Sequence, residues 1–486
     1  MRRLRMRLMP DLRRRAAPSG SGSGRVTRVG TPIAWVWALL MAAGCSSAPA
    51  ASDEQVPAPI TESAAHQTSW DRFFTDPRLQ ALIRLALEHN RDLRVAALQV
   101  EQARAQALIR EADLWPSVNV GVGGTRVPTN TGGVSTTVTG GLAVAAYEVD
   151  LFGRVREQAS AAQAQRQASG FLQAAARASL IAAVAAAHVN LQADEALLGV
   201  TKDTLRSREE NLRIVQGRVQ SGAASALELV QAESLLQAAR AAVAQVQRQQ
   251  ALDETTLVLL VGRPLPSDLP LAPGGFAATP STATPSWGWQ APPALAAGLP
   301  SDVLAQRPDI AAAEAQLRAA QANMEAARRA LFPRISLTAS FGQASRELSS
   351  LFSGGAWVWG MAPQLLAPIF DAGRLKAGVQ QAQAAQQSAL AQYEKSVQVA
   401  FKEVSDALVT RSTLTEQLQA LQAQARAEAQ RVELAQVRWR LGASAYLEVL
   451  DAQRALYAAQ TAVIQTQALV LQNQATLYKV LGGGSR

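Results

Sequence analysis

The sequence predicts a mainly α-helical protein with a small β part, and two features support this prediction. The chain after residue 68 repeats one unit twice, and each unit contains long segments rich in Ala, Gln and Leu. These segments are almost free of Gly and Pro, which favours helix. The segments 154–217 and 374–441 would each extend about 100 Å at 1.5 Å per residue. Helices of that length are typical of coiled-coil packing.

The basic charge of the chain lies in its N-terminal leader. The formal net charge is +9, but nine of the 47 basic residues and only one of the 38 acidic residues lie within residues 1–44. The rest of the chain is therefore nearly neutral. A nearly neutral chain lacks the electrostatic footprint of a nucleic-acid-binding protein.

Residues 1–44 are typical of a signal peptide that ends at a lipidation site. An Arg-rich stretch precedes the apolar run 33–43, which has about half of the roughly 20 residues that a membrane-spanning helix needs. Gly44-Cys45-Ser46 resembles a bacterial lipobox, although Ala42 stands where Leu is usual. We predict that Cys45, the only cysteine, carries diacylglyceryl and N-acyl groups. The alternative is an ordinary secretory signal with an incidental cysteine.

The residues that follow the leader divide into a tether, two copies of the repeat and a connector. Residues 45–68 predict a flexible, lipidated tether, because they are rich in Ser, Ala and Pro. Copy one spans 69–262 and copy two spans 301–486, with a Pro- and Gly-rich connector at 263–300. The copies align at an offset of about 220 residues, which makes an internal duplication the simplest explanation.

Each copy is predicted to contain a helix, two strands, a long helix, a tight turn and a second long helix. The turns are predicted at Gly222 and Gly442, because glycine readily adopts the left-handed conformation that ends a helix. The last helix of copy two has two adjacent heptad columns of mostly apolar residues, which make a stripe wide enough for two neighbouring helices. The columns are Val449, Leu456, Val463, Val470 and Leu477, and Leu450, Tyr457, Ile464, Leu471 and Tyr478. A helix with two neighbours suits a closed ring of helices.

The strands alternate apolar with small polar residues, which is typical of a membrane-spanning barrel wall around a wet lumen. The predicted strands are 117–122, 135–148, 334–341 and 356–367, and the predicted extracellular loops are 123–134 and 342–356. Four strands cannot close a barrel, since small barrels need about eight. Copies of the chain must therefore combine.

These features together resemble the TolC-like outer-membrane factors, in particular the lipidated NodT-type branch that serves resistance-nodulation-division (RND) pumps. The residues that carry the resemblance are Pro116 and Pro333 at helix-to-strand junctions, Asp150 to Arg154, Phe370 to Arg374, and the paired Gly-x4-Leu-Glu turns. The resemblance implies a homotrimer in which four strands per chain form a 12-stranded transmembrane β-barrel and the helices form an α-helical coiled-coil barrel across the periplasm.

The same resemblance implies the function and the partners. The trimer would be a lipid-anchored channel in the cell outer membrane, in contact with outer-membrane lipid and extending into the periplasm. It would passively conduct drugs or other small molecules that an inner-membrane RND transporter and a periplasmic adaptor protein deliver. The covalent lipid would be its only attached group, with no cofactor, metal or nucleic acid.

The resemblance also implies a periplasmic constriction just past the turn of copy two. Glu448 and Asp451 lie three residues apart on one helix face, and Glu228 is the copy-one acid. Around a threefold axis, such carboxylates would attract cations and make opening sensitive to pH and salt. Arg438, Trp439 and Arg440 are the possible gate partners by position, and the hairpin turns would contact the adaptor. The alternative is that the acids only complement a helix dipole.

Three other functions are weighed against this one. A type I protein secretion duct is the nearest alternative, and the lipobox favours efflux over it. A periplasmic coiled-coil adaptor or scaffold is less consistent with a doubled unit and amphipathic strands. An enzyme is not expected, because the sequence shows no phosphate-binding loop, no nucleophile–His pair and no metal-ligand cluster.

Overall fold

The computed structural model describes residues 69–130, 132–266, 307–351, 353 and 356–483. The predicted signal peptide, the tether with Cys45 and most of the connector lie outside these residues. The described residues are mainly helical with one small antiparallel sheet, which confirms the predicted fold class.

Copy one and copy two contain the same central elements in the same order. The elements of copy one are α1 Trp70–Phe73, α2 Pro77–His89, α3 Arg91–Ala112, β1 Val118–Pro128, β2 Val134–Glu148, α4 Arg154–Gln220 and α5 Ala226–Val261. The elements of copy two are α6 Pro308–Arg329, β3 Arg334–Ser345, β4 Ala356–Leu366, α7 Arg374–Arg440 and α8 Tyr446–Val480, with one 3-10 turn at Leu348–Ser350.

Helix α4 is the central helix of the described chain. It packs against α2, α3, α5, α6 and α8, whereas its copy-two counterpart α7 packs against α6 and α8. The two helices have the same length of 67 residues. The four long helices form a row in the spatial order α5, α4, α8 and α7, in which each helix contacts the next.

The largest apolar cluster lies where α1 and α2 cover α4, α5 and the end of α8. Its largest fully buried members are Phe74, Leu79, Leu82, Ile83, Ile181 and Leu257. His188 of α4 lies nearby, and its Nε2 is 2.9 Å from Oδ2 of Asp76 in a buried contact. Asp76 also accepts a hydrogen bond from the Arg78 amide and thereby caps α2. His188 is thus a structural residue of the helix bundle.

The Asp-x-Phe-Gly-Arg and Phe-Asp-Ala-Gly-Arg segments begin the two longest helices. The Asp150 carboxylate accepts hydrogen bonds from the amides of Val155 and Arg156 at 3.2 and 2.9 Å. The Asp371 carboxylate accepts from the amide of Leu375 at 2.8 Å. Each carboxylate therefore satisfies amides that the helix itself leaves unpaired. These motifs fix the junction between sheet and helix.

The four strands form one sheet in the order β1-β2-β3-β4, with every pair antiparallel. One row across the sheet consists of exposed apolar side chains, Val120, Leu142, Phe341 and Trp359. The adjacent row, whose side chains face the other way, is Gly121, Gly141, Gly342 and Val358. The sheet thus has an apolar face and a face of mainly small residues, as the alternation predicts.

The predicted loops begin too early in both copies. Strand β1 continues to Pro128 and β3 continues to Ser345, so the loops within the described chain are shorter than 123–134 and 342–356. The physical reason is that Gly123 and Gly124 pair with Thr139 and Val138 through the backbone alone. Glycine is disfavoured in strands on propensity, and the sequence pattern therefore ends before the ladder does.

Candidate functional site

The two hairpin turns have nearly the same backbone. Gly222 and Gly442 have φ angles of 75° and 70°, in the left-handed region that glycine adopts without strain. The amide of Ala223 donates to the Arg218 carbonyl at 2.7 Å, and the amide of Ala443 donates to the Arg438 carbonyl at 2.8 Å. The first turn (217–225) and the second turn (438–446) are therefore built alike, and only their side chains distinguish them.

The second turn carries two ion pairs between α7 and α8. Arg438 Nη1 donates to Glu448 Oε1 at 2.8 Å, and Arg431 Nη2 donates to Asp451 Oδ2 at 2.6 Å. The four side chains remain about 40 to 60% exposed, and exposed pairs of this kind contribute little to stability. Each pair neutralises the negative charge of one carboxylate with an arginine of the same hairpin.

Arg431 was not among the candidate gate residues, although the hairpin geometry could have placed it near Asp451. In an antiparallel hairpin, residues that face each other lie at similar distances on either side of the turn. Arg438 and Glu448 lie five residues before and after Ala443, so this rule finds their contact. Arg431 and Asp451 lie twelve and eight residues from Ala443, a difference of about one helical turn, so the rule brings Arg431 only near Asp451.

An aromatic pair links the second turn to the first. The ring centroids of Trp439 and Tyr446 are 4.9 Å apart, and Cζ of Arg218 lies 5.6 Å from the Trp439 centroid. The Arg218 guanidinium is thus within cation–π range of an indole from the other copy. Burial raises the pKa of Tyr446 to about 12, so this phenol stays neutral. The contact couples the two turns within one protomer.

The first turn lacks the ion pairs. Ser225 Oγ accepts from the Glu228 amide at 3.3 Å and caps α5, but the Glu228 carboxylate has no ion pair among the described residues. Gln231 and Asn211 occupy the positions that correspond to Asp451 and Arg431. The first turn is therefore neutral at these two positions, whereas Arg218 and Glu228 retain the charges of Arg438 and Glu448.

A cavity of about 640 Å³ lies between the two turns. Its lining brings together Arg218 and Glu228 from copy one and Trp439, Arg440 and Tyr446 from copy two. Arg440 donates from Nε to the Gln436 carbonyl of its own helix at 3.3 Å and has no carboxylate partner in the described chain. Of the predicted site residues, Glu228, Trp439, Arg440 and Gly442 thus line one space, whereas Arg438, Glu448 and Asp451 are not part of its lining.

Arg208 is a second residue that the sequence does not reveal. It is 5% exposed on α4, and its Nη1 donates to Gln453 Oε1 of α8 at 2.8 Å. Burial lowers the pKa of Arg208 and the nearby Arg454 adds to the effect, while Tyr446 opposes it. No carboxylate forms an ion pair with Arg208 among the described residues. The residues next to Arg208 in the sequence do not indicate that it is buried, because its partner lies on a helix distant in the chain.

Comparisons with known proteins identify the family and the fold. The description "Outer membrane efflux protein" belongs to the family that matches residues 82–263 and 299–483. The chain is 41% identical over 435 residues to the toluene efflux pump outer membrane protein TtgC of Pseudomonas putida, covering 88% of this chain and 87% of the relative. It is 37% identical over 478 residues to the outer membrane protein OprJ of Pseudomonas aeruginosa, covering 93% and 96%.

A solved structure gives the same result for the fold. The open state of the Neisseria gonorrhoeae MtrE outer membrane channel is similar to the chain with a TM-score of 0.77 and 38% identity, covering 88% of this chain and 94% of the channel.

Proposed function

The chain belongs to the outer membrane efflux protein family, and we propose that three copies of it form the exit duct of a tripartite efflux system. The chain is an outer-membrane efflux component, and its relatives are channels rather than enzymes. The duct would receive small molecules from a periplasmic adaptor and an inner-membrane RND transporter. The toluene relative supports a proposal that the cargo includes small apolar or amphipathic molecules.

The observation that carries the proposal is that the described chain leaves the edges of its sheet unpaired and apolar side chains exposed on two of its helices. The sheet has two free edges, β1 and β4, and exposed edges readily pair with another chain. At the level of the helices, α7 exposes Phe401, Val409 and Leu434, and α5 exposes Leu252 and Leu259. Joining these edges to neighbouring copies would give the sheet the closure that a membrane requires.

The constriction at the second turn is part of this proposal. Three copies would bring Glu448 and Asp451 around one axis, with Glu228 from the first turn contributing a third ring. The ion pairs to Arg438 and Arg431 support a closed state in which the acids are held by their own hairpin. Opening would free the acids to face the lumen, where they would attract cations.

The proposal is tested by native mass and planar-bilayer conductance of the purified protein. We expect a trimer with small, cation-selective currents. Glu448→Ala/Asp451→Ala should reduce the selectivity, while Glu433→Ala, which removes an exposed acid of α7, serves as the matched control. A non-conducting monomer or dimer would refute the duct and favour a coiled-coil scaffold.

A lipid on Cys45 is a separate part of the proposal, supported by the sequence around the single cysteine. Lipid attachment would place the mature N-terminus at the membrane surface and anchor the trimer. Intact-mass measurement of protein purified from membranes should give a mature chain that begins at Cys45 and carries three acyl chains. An unmodified thiol at this residue would contradict lipidation while leaving the duct itself untouched.

A further inference from the structure

A second polar site lies far from the turns, in a groove between α4, α5 and α8. The groove has a volume of about 620 Å³. Asp194 of α4 and Asp253 of α5 face each other in it, close enough to share a hydrogen bond through a proton. Neither acid belongs to the predicted constriction.

Asp194 is the unusual member of this pair. It is only 6% exposed, and its Oδ2 atom is buried without a donor partner among the described residues. Asp253 does have a donor, because Gln249 Nε2 lies 3.2 Å from its Oδ2. A buried carboxylate oxygen without a donor is costly, so this atom is poised to accept a hydrogen bond from a ligand.

A third acceptor in the same groove comes from another helix. Oγ1 of Thr461, on α8, is also buried without a partner in the described chain. The remaining walls include apolar side chains, namely Leu197, Val246 and Leu469. The groove therefore combines several oxygen acceptors with an apolar surface.

We propose that this groove binds a primary ammonium group attached to an apolar body, with Asp194, Asp253 and Thr461 as the acceptors. A primary ammonium has three donors and no acceptor, which matches the two buried oxygens without a partner, Asp194 Oδ2 and Thr461 Oγ1, together with the Asp253 carboxylate. Its positive charge complements two carboxylates, which outnumber Arg248, the single cation of the groove lining. The apolar body would lie against the leucine and valine side chains. The inference rests on the proposed duct, because it names a class of molecule that passes through it.

A metal ion is the less suitable occupant. Within the described residues, no third His, Cys, Asp or Glu joins Asp194 and Asp253 to make a metal-binding group. An amine needs no such ligand set, and the volume of the groove is within the range of sites that hold small organic molecules.

The binding should depend on pH. Burial and the adjacent Asp253 raise the pKa of Asp194 to about 7. The other titratable groups that line the groove are Asp253 and Arg248 from α5 and the Tyr457 phenol from α8. As the pH falls through about 7, Asp194 gains a proton and loses its charge, so an ammonium ligand should bind more weakly.

The test is calorimetric titration of the purified, detergent-solubilised oligomer with tryptamine at pH 8. Tryptophol, in which a hydroxyl replaces the amine, is the uncharged matched probe. We expect saturable tryptamine binding, no tryptophol binding, and a loss of about tenfold or more in affinity in Asp194→Asn, since hydrogen bonds to charged groups are the strong ones. Asp203→Asn, an exposed acid on the same helix, should bind as the wild type does.

Three results would overturn the proposal. These are equal binding of tryptamine and tryptophol, unchanged tryptamine affinity in Asp194→Asn, or calcium binding that Asp194→Asn abolishes without any tryptamine binding. Asp253→Asn gives a second variant should Asp194→Asn fail to assemble. Conductance measured on the same preparation distinguishes failure of the amine site from failure of the duct. A trimer that conducts ions but does not bind tryptamine refutes only the amine site.

Discussion

Helices α4 and α7 occupy corresponding places in the two copies, yet their surroundings differ. Both contain 67 residues, but α4 is packed against five other helices and α7 against two. The buried residues of α4 include Ile181, Val184 and Leu191, whereas those of α7 are four alanines and Val404. The duplication has thus produced one helix for the protomer core and one helix for its edge.

The two copies also differ in their charged residues at corresponding positions. The two ion pairs occur only at the second turn: Asn211 and Gln231 replace one pair by neutral residues, and Arg218 and Glu228 keep the charges of the other without forming an ion pair among the described residues. Conversely, the carboxylate pair occurs only in copy one, because Leu414 and Asn473 correspond to Asp194 and Asp253. One backbone plan therefore carries two different sets of charges: the ion pairs of the proposed gate come from copy two, and the carboxylate pair of the groove comes from copy one.

The largest expected effect comes from truncating corresponding residues of α4 and α7. Ile181 is 1% exposed and its counterpart Phe401 is 48% exposed. Ile181→Ala should lower the free energy of unfolding by about 2 to 5 kcal/mol, the usual cost of a large-to-small change in a core. Phe401→Ala should leave the helix content of the protomer intact and weaken the trimer.

Circular dichroism during thermal unfolding and native mass at decreasing protein concentration measure the two outcomes. If Phe401→Ala lowers the unfolding temperature of the protomer as much as Ile181→Ala does, α7 is not an edge helix and the proposed difference between α4 and α7 is wrong.

A smaller effect is expected from pH, and only in copy one. The raised pKa of Asp194 means that the folded state holds this proton more tightly than the unfolded state, where the acid titrates normally. Its contribution to stability is therefore greatest at low pH and is lost as the pH rises through about 7. Between pH 6 and pH 8 the loss should be about 1 kcal/mol per protomer.

The comparison of melting temperatures at pH 6 and pH 8 tests this sign. The difference in melting temperature between pH 6 and pH 8 should shrink in Asp194→Asn and remain at the wild-type value in Asp203→Asn. A wild-type protein that becomes more stable as the pH rises, by an amount that Asp194→Asn removes, would contradict the assignment.

The smallest effect concerns the helix caps after the two turns. Ser225 caps α5 through the Glu228 amide, while Ala445 at the corresponding place has no side-chain cap. Ser225→Ala should cost about 1 kcal/mol, and Ala445→Ser should recover a similar amount for α8. Denaturant unfolding of both variants measures the two free-energy changes. An Ala445→Ser variant that is no more stable than the wild type would show that the backbone of the second turn does not admit the cap of the first.

The sequence predicts the helices better than it predicts the ends of the strands. The heptad columns that include Val463 and Ile464 locate α8 correctly, because apolar periodicity records which face is buried. The extension of β1 through Gly123 and Gly124 depends on the backbone of β2, and local propensity contains no information about such a partner.

The site is predictable only in part, for the same reason. Glu448 and Asp451 are visible in the sequence because they lie on one helix face near a turn. Their partners become visible only when the two arms of the hairpin are placed side by side, as for Arg431. Arg208 and the Asp194–Asp253 pair are contacts between helices distant in sequence or separated by a full hairpin, so only the three-dimensional packing reveals them.

The central claim is that the ion pairs of the second turn hold the periplasmic end of the duct closed. Single-channel conductance of Arg431→Ala/Arg438→Ala in a planar bilayer tests this claim directly. Arg426→Ala is the matched control, because it removes an exposed arginine of α7 that forms no ion pair within the described residues. We predict a larger conductance in the double variant and wild-type currents in the control. A double variant that conducts no better than Arg426→Ala would contradict the gate.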